Sequence, residues 1–449
     1  MKNSGIHLSS RLLAALAALT LFATTGCDRK EDDSSESGAA PEAQEEAAPE
    51  GDESGSEEPG EAGEETEVQA AVYRRSTTDG KTAKRNLDAQ IEGVESSIDD
   101  ESPELGRAER LHALLGTRVQ FFATYDDFDR MFAIIDALES TDASADKVAM
   151  LRAKAEAKTH QFSQARERIK ELDSAEAKSQ LRTIALAMGE SLDDEIEEAR
   201  ARASEQQTFD AYVSLASLLG AAGEFDAADQ AWRDAMRVYD NISPFPIAWA
   251  QFQRGVMWAE RAGKAAKALP LYEDAVRLVP DYVVANVHLA ELEAEEGRLR
   301  DAIARLDLIH EDTQDPEPSA LLSELLVEDG DEQQAQRLAE RADRMYSDLL
   351  EKYPAAFADH ATEFYLGPGD DKEKAWSLAS GNLENRQNAR AYLLAAEAAL
   401  ASDRAEKACE ILGEASRSPV LEGSVPLQRL VEAHREDCDG YEDDAEGEQ

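Results

Sequence analysis

Two short patterns in this chain have the spacing to hold a metal ion. His288 with Glu291 forms one His-x-x-Glu pair, and His360 with Glu363 forms another. On a helix, three-residue spacing puts imidazole and carboxylate on one face, and such a nitrogen–oxygen set suits borderline divalent metals. Only seven histidines occur in 449 residues, and the role expected of both pairs is solvated or capping, with no metal and no cofactor assigned. Two further motifs fail. His310–Asp312 (HED) begins like a zinc-protease helix, but Gln314 stands where the second histidine belongs. Asp79–Thr82 (DGKT) ends like a phosphate-binding loop, but Arg75 occupies the place of its first glycine. No nucleophile pairs with a base. The chain is therefore expected not to be an enzyme, and no catalytic residue is assigned.

The elements that would carry these residues are helical. Aromatics are scarce, at 6%, and long stretches of Ala, Leu, Glu and Arg favour helix. Period-2 alternation is confined to short runs such as Tyr282–Val287 (YVVANV). The net charge of −48 repels nucleic acid phosphates and anionic lipid, which sets both aside as direct partners.

The N-terminus reads as an address. Lys2 and Arg11 accompany an apolar run, Leu12–Phe22, whose 11 residues are too few to span a bilayer. The run is followed by Thr24, Thr25, Gly26 and Cys27. This ending resembles the bacterial lipobox, with Thr24 in place of the usual leucine. The resemblance implies a lipoprotein signal peptide over 1–26, lipidation of Cys27, and a lipid-anchored, periplasm-facing protein of the bacterial cell envelope. Residues 27–68 read as a disordered tether: Asp28–Glu67 contains 17 acidic and two basic residues and too little apolar surface to offset its chain entropy. As a flexible coil it spans about 35 Å. Cys409 and Cys438 remain, an even pair in an oxidising compartment. A disulfide between them is expected, closing a loop worth roughly 3–4 kcal/mol; a buried Cys409 with a free Cys438 is the alternative.

A repeat runs through the rest of the chain. Helix-breaking positions near 126, 160, 189, 223, 263, 297, 330, 369 and 403 recur at intervals close to 34 residues. Five residues after most of them stands an alanine: Ala165, Ala228, Ala268, Ala302, Ala335 and Ala408. Nine residues after stands Ile169, Trp232, Tyr272, Leu306, Ala339 or Leu412. Around Gly369 one extra residue precedes Ala375. The segment Lys267–Pro280 (KALPLYEDAVRLVP) is one such copy, its apolar stripe read as Leu269, Tyr272, Val276 and Val279.

This pattern, clearest in Tyr212–Met236, resembles the tetratricopeptide repeat family over residues 107–418. The resemblance implies an all-α, right-handed superhelical solenoid of antiparallel helix pairs. The alanine lets the two helices of a pair approach, and the larger residue fills the space between pairs. An N-terminal helical cap is expected over 69–106, marked by Leu87, Ile91, Val94 and Ile98, and a loop, short helix and acidic tail over 419–449. In the family the first helix of each pair lines a concave surface that takes peptides. Its register sends Gln253, Met257, Arg261, Val287 and Glu291 inward as a partner-binding groove, while Phe245, Trp249, Phe252 and Trp258 pack the long junction before Gly263. The function expected is a scaffold or adaptor binding a protein or peptide partner in the envelope. Alternatives are a metal-dependent envelope enzyme using a His/Glu pair, and a structural subunit of an envelope assembly.

Overall fold

The computed structural model describes residues 76–191 and 193–438. The expected signal peptide, Cys27, the acidic tether and the acidic tail after Cys438 lie outside them. Among the described residues every regular element is a helix, and none is long and apolar enough to cross a membrane. The chain opens with α1 (Gly80–Glu95), α2 (Leu105–Phe122), α3 (Asp126–Glu139), α4 (Ala145–Lys158), α5 (Phe162–Ile169), α6 (Ala175–Met188) and α7 (Asp193–Gln206). It continues with α8 (Phe209–Ala221), α9 (Phe225–Val238), α10 (Phe245–Val256), α11 (Ala265–Leu278), α12 (Val283–Glu295) and α13 (Leu299–Asp307). The last are α14 (Glu317–Asp329), α15 (Glu332–Lys352), α16 (Pro354–Leu366), α17 (Lys372–Asn385), α18 (Ala389–Ala401), α19 (Ala405–Arg417) and α20 (Val425–Ala433). A π-helical turn, Met257–Arg261, extends α10, and a 3₁₀ turn, Pro419–Leu421, precedes α20.

Helices α2 to α19 form nine consecutive pairs, and between the members of each pair one residue takes positive φ. These are Ala123, His160, Gly189, Gly223, Gly263, Gly297, Gly330, Asp370 and Asp403. The left-handed conformation frees the chain from the first helix and aims it back along the second. Two positions correct the sequence reading. The first turn falls at Ala123 rather than near 126. The eighth falls at Asp370 rather than Gly369, which restores the five-residue offset to Ala375. The alanines at that offset are buried: Ala165, Ala228, Ala268, Ala302, Ala375 and Ala408 are all 0% exposed. Trp232, Tyr272, Leu306 and Leu412 fill the layers beside them; each such side chain stabilises by roughly 1.5–3 kcal/mol.

Two stripes shift slightly. In α11 the buried face is Ala268, Leu271, Tyr272, Ala275 and Leu278, so Leu269 and Val276 sit at its rim. Pro270 is the sixth residue of that helix, where it deletes one intrahelical hydrogen bond. In α1, Leu87, Ile91 and Val94 are buried, but Ile98 lies beyond the helix end. The DGKT motif has a structural role there: Asp79 caps α1, its carboxylate accepting from the Thr82 N–H at 3.0 Å. Tyr282–Val287 leads into and begins α12.

Residues far apart in sequence also meet. The Tyr125 hydroxyl donates to Asp315 at 2.9 Å, and Gln314 accepts from the Asp126 N–H at 3.0 Å. His160 Nδ1 lies 3.1 Å from the Ala355 carbonyl, and the Gln387 N–H donates to Met188 at 3.0 Å. Gly223 lies against the backbone of Glu422. The side-chain contacts of this kind join residues 188 to 225 apart. At about 34 residues per pair, roughly six pairs complete one turn of the superhelix, and the second turn rests directly on the first. At the C-terminal end Cys409 of α19 is disulfide-bonded to Cys438, with Cα atoms 5.2 Å apart. Between them α20 reaches back to the first turn, Val425 and Arg429 lying beside Gly263.

Candidate functional site

The first helices of the pairs turn polar residues toward the inside of the solenoid, and there the two His/Glu pairs come together. His288 and Glu291 stand nine and six residues before the turn at Gly297. His360 and Glu363 stand ten and seven before the turn at Asp370. Despite the one-residue difference in register, both pairs reach one cluster, since His288 and His360 both act on Glu317. His288 is 2% exposed, its Nδ1 3.4 Å from Glu291 and 3.5 Å from Glu260 of the π-turn. His360 is ion-paired with Glu317, at the start of α14. Neither histidine is solvated or a helix cap, which corrects the expectation for them.

Arg386, just past the end of α17, and Arg390 of α18 complete the cluster. Arg390 donates to Glu363 at 2.7 Å and lies 3.3 Å from Asp359. Arg386 and Asn382 also donate to Asp359. The carboxylates gathered here are Glu260, Glu291, Asp315, Glu317, Asp359 and Glu363, and the guanidiniums are Arg261, Arg386 and Arg390. Burial governs their titration. It raises the Glu260 carboxyl well above the usual range, against the pull of Arg390. It lifts Glu363 to about 8, although Arg390 and His360 oppose it. For His360 burial works downward, but the Glu317 carboxylate outweighs it and raises the imidazole to about 9. Glu317 is correspondingly held low against its own burial. Both carboxylate oxygens of Glu260 and Nε2 of His288 are buried without a hydrogen-bond partner.

Glu317, His360 and Glu363 have one ligand atom each within 4.8 Å of the others, and all three side chains keep partial exposure. This is the one group with metal-binding geometry among the described residues. Sequence spacing named two of its members and missed Glu317, which a separate helix brings in. Glu260, Asp359, Arg386 and Arg390 were missed likewise. The available signal was ionisable residues at inward positions of consecutive first helices.

The five residues read as a groove are placed differently from one another. Val287 packs in the core with Ala290, Ala302, Leu306 and Leu322. Gln253 and Met257 are buried, and Arg261 and Glu291 are half-buried. Phe245, Trp249, Phe252 and Trp258 lie in the core, where Trp258 donates to Asp229 at 2.9 Å beside Arg254, which bonds the same carboxylate oxygen at 2.8 Å.

Several solved structures share similarity with the chain. A chain of the APC/C hetero-tetramer Cut9–Hcn1 matches at 13% identity, covering 73% of this chain and 62% of its own length, with a TM-score of 0.40. The TPR domain of P58(IPK) matches at 15% identity, covering 79% of this chain and 97% of that domain, with a TM-score of 0.25. Yeast Tom70 matches at 14% identity, covering 79% and 94%, with a TM-score of 0.32. This chain thus spans less than two thirds of the first of them. No curated protein matches the sequence. Residues 259–325, from the π-turn through most of α14, match the family described as tetratricopeptide repeat (TPR_19), and it is to that family that the chain is similar.

Proposed function

We propose that the protein is a non-enzymatic scaffold or adaptor that binds a segment of another protein on the inner surface of its solenoid, held in the bacterial cell envelope by a lipid on Cys27. The observation that supports this reading best is the inner face itself. Half-exposed charged side chains from four helix pairs, Arg261, Glu291, Glu317 and Glu363, follow one another along it. They stand on helices fixed by packing, so a partner segment meets a preformed surface and little ordering cost falls on the scaffold. The acidic excess favours a partner segment carrying basic residues. Of the five residues assigned to the groove by register, Arg261 and Glu291 are the ones a partner reaches. Gln253, Met257 and Val287 are buried and out of a partner's reach.

The test is crosslinking in intact cells from a photoreactive residue at position 261, with the exposed position Glu340 on α15 as the reference. The proposal expects a discrete protein adduct from 261 and none from 340. Adducts from 340 with none from 261 overturn the assignment. Fractionation after globomycin-like inhibition of lipoprotein processing, or in a Cys27→Ser chain, tests the anchor separately: release from the membrane supports it.

A further inference from the structure

We propose that Glu317, His360 and Glu363 form a divalent-cation site on the inner face of the solenoid, taking a borderline ion of the zinc class and fastening α14 to α16. The donor set is one imidazole nitrogen and two carboxylate oxygens, which suits zinc better than magnesium or calcium, ions that favour all-oxygen shells. Ligand atoms around one tetrahedral zinc lie about 3.4 Å apart. The three atoms here already lie within 4.8 Å of one another, so side-chain rotation closes the site without moving either helix.

Two independent features point to a cation at this place. The first is charge. Six carboxylates meet three guanidiniums in the cluster, so protons or a cation must make up the difference. The second is a pair of buried groups, Glu260 and His288, that lie 3.5 Å apart yet lack hydrogen bonds. Glu260 is 5% exposed and neither of its carboxylate oxygens has a hydrogen bond; Nε2 of His288 has none either. Glu260 lies near enough to Glu363, and His288 to Glu317, for their charges to interact. Arg390 holds one oxygen of Glu363 at 2.7 Å and leaves the other to the ion; it is a positioning residue. The partial exposure of all three ligands provides a way in.

The full chain, stripped with a chelator, is titrated with zinc by calorimetry in excess magnesium, which occupies exposed carboxylates. The expected result is about one zinc per chain. His360→Gln should abolish this uptake, and Arg390→Lys should weaken it about 10- to 100-fold, as loss of an outer-shell partner does. His360→Gln also removes an ion pair, so a second measurement uses the unaltered chain: zinc should protect His360 from diethyl pyrocarbonate, read by peptide mass spectrometry. The absence of saturable uptake overturns the site. So does uptake that survives in folded His360→Gln, or that leaves the modification of His360 unchanged.

Discussion

A methyl group added at Gly223 tests whether the second superhelical turn rests on the first. Gly223 has φ +78°, and a Cβ built there collides with the carbonyl of Glu422, 199 residues along the chain. Two other glycines separate these effects. Gly330 has φ +94° with nothing within 4 Å of an added Cβ, so Gly330→Ala carries the backbone cost alone. Gly423 lies outside the left-handed region, but its added Cβ meets the Ala221 carbonyl, so Gly423→Ala carries the collision alone. The left-handed conformation costs a residue with a Cβ about 1–2 kcal/mol, and overpacking against a fixed neighbour costs about 1–3 kcal/mol. Gly330→Ala should therefore lose about 1–2 kcal/mol, Gly423→Ala about 1–3 kcal/mol, and Gly223→Ala about 2–5 kcal/mol, the two costs together. The assay is urea unfolding followed by far-ultraviolet circular dichroism, with hydrogen exchange reading the amides of α20. The Gly223→Ala/Gly423→Ala double variant should lose less than the sum, because one methyl already parts the two turns. Equal losses for Gly223→Ala and Gly330→Ala, with α20 unchanged in exchange, would refute the stacking of turn on turn.

Further outcomes follow from the same packing. Asp229→Ala strands the fully buried Arg254 and the Trp258 N–H, and should cost about 3–5 kcal/mol in urea unfolding. An Arg254→Met/Asp229→Leu pair should lose much less. His112 is held down to about 3 by burial, with Lys158 and Lys154 adding to it. The unfolded chain then binds the proton first, so stability falls as pH drops from about 6.5 toward 3, by up to about 1.4 kcal/mol per pH unit. His112→Leu should flatten the stability–pH slope by one proton across that window. Reduction of Cys409–Cys438, or Cys438→Ser, should cost roughly 3 kcal/mol and raise hydrogen exchange in α20 and beside Gly263 before it affects α2 to α7.

Much of the fold was legible because a helix pair is encoded within about 34 residues. The alanine five residues after most turns exposed the repeat, since a small side chain permits the approach of the paired helices there. The errors were local. Turns at Ala123 and Asp370 lack glycine at the left-handed position, so the eye settles on a neighbour such as Gly369. The buried stripe of α11 is rotated by one position from Leu269 and Val276, because Leu271 and Leu278 share the inward face with Tyr272. The site was legible in part. His288/Glu291 and His360/Glu363 were visible as spaced pairs, but their burial was not, since spacing along a helix says nothing about which face other helices cover. Glu260, Glu317 and Arg390 were invisible as partners because each comes from a different helix pair.

By itself the sequence determined that the chain builds paired helices, where most of them reverse, and which small residues let them touch. Those are short-range matters of periodicity, turn conformation and side-chain size. The tertiary structure alone decided that the solenoid closes turn on turn and that ionisable side chains from π-turn to α18 share one interior. Both depend on the small rotation from each pair to the next, which accumulates over some six pairs before residues about 200 apart meet.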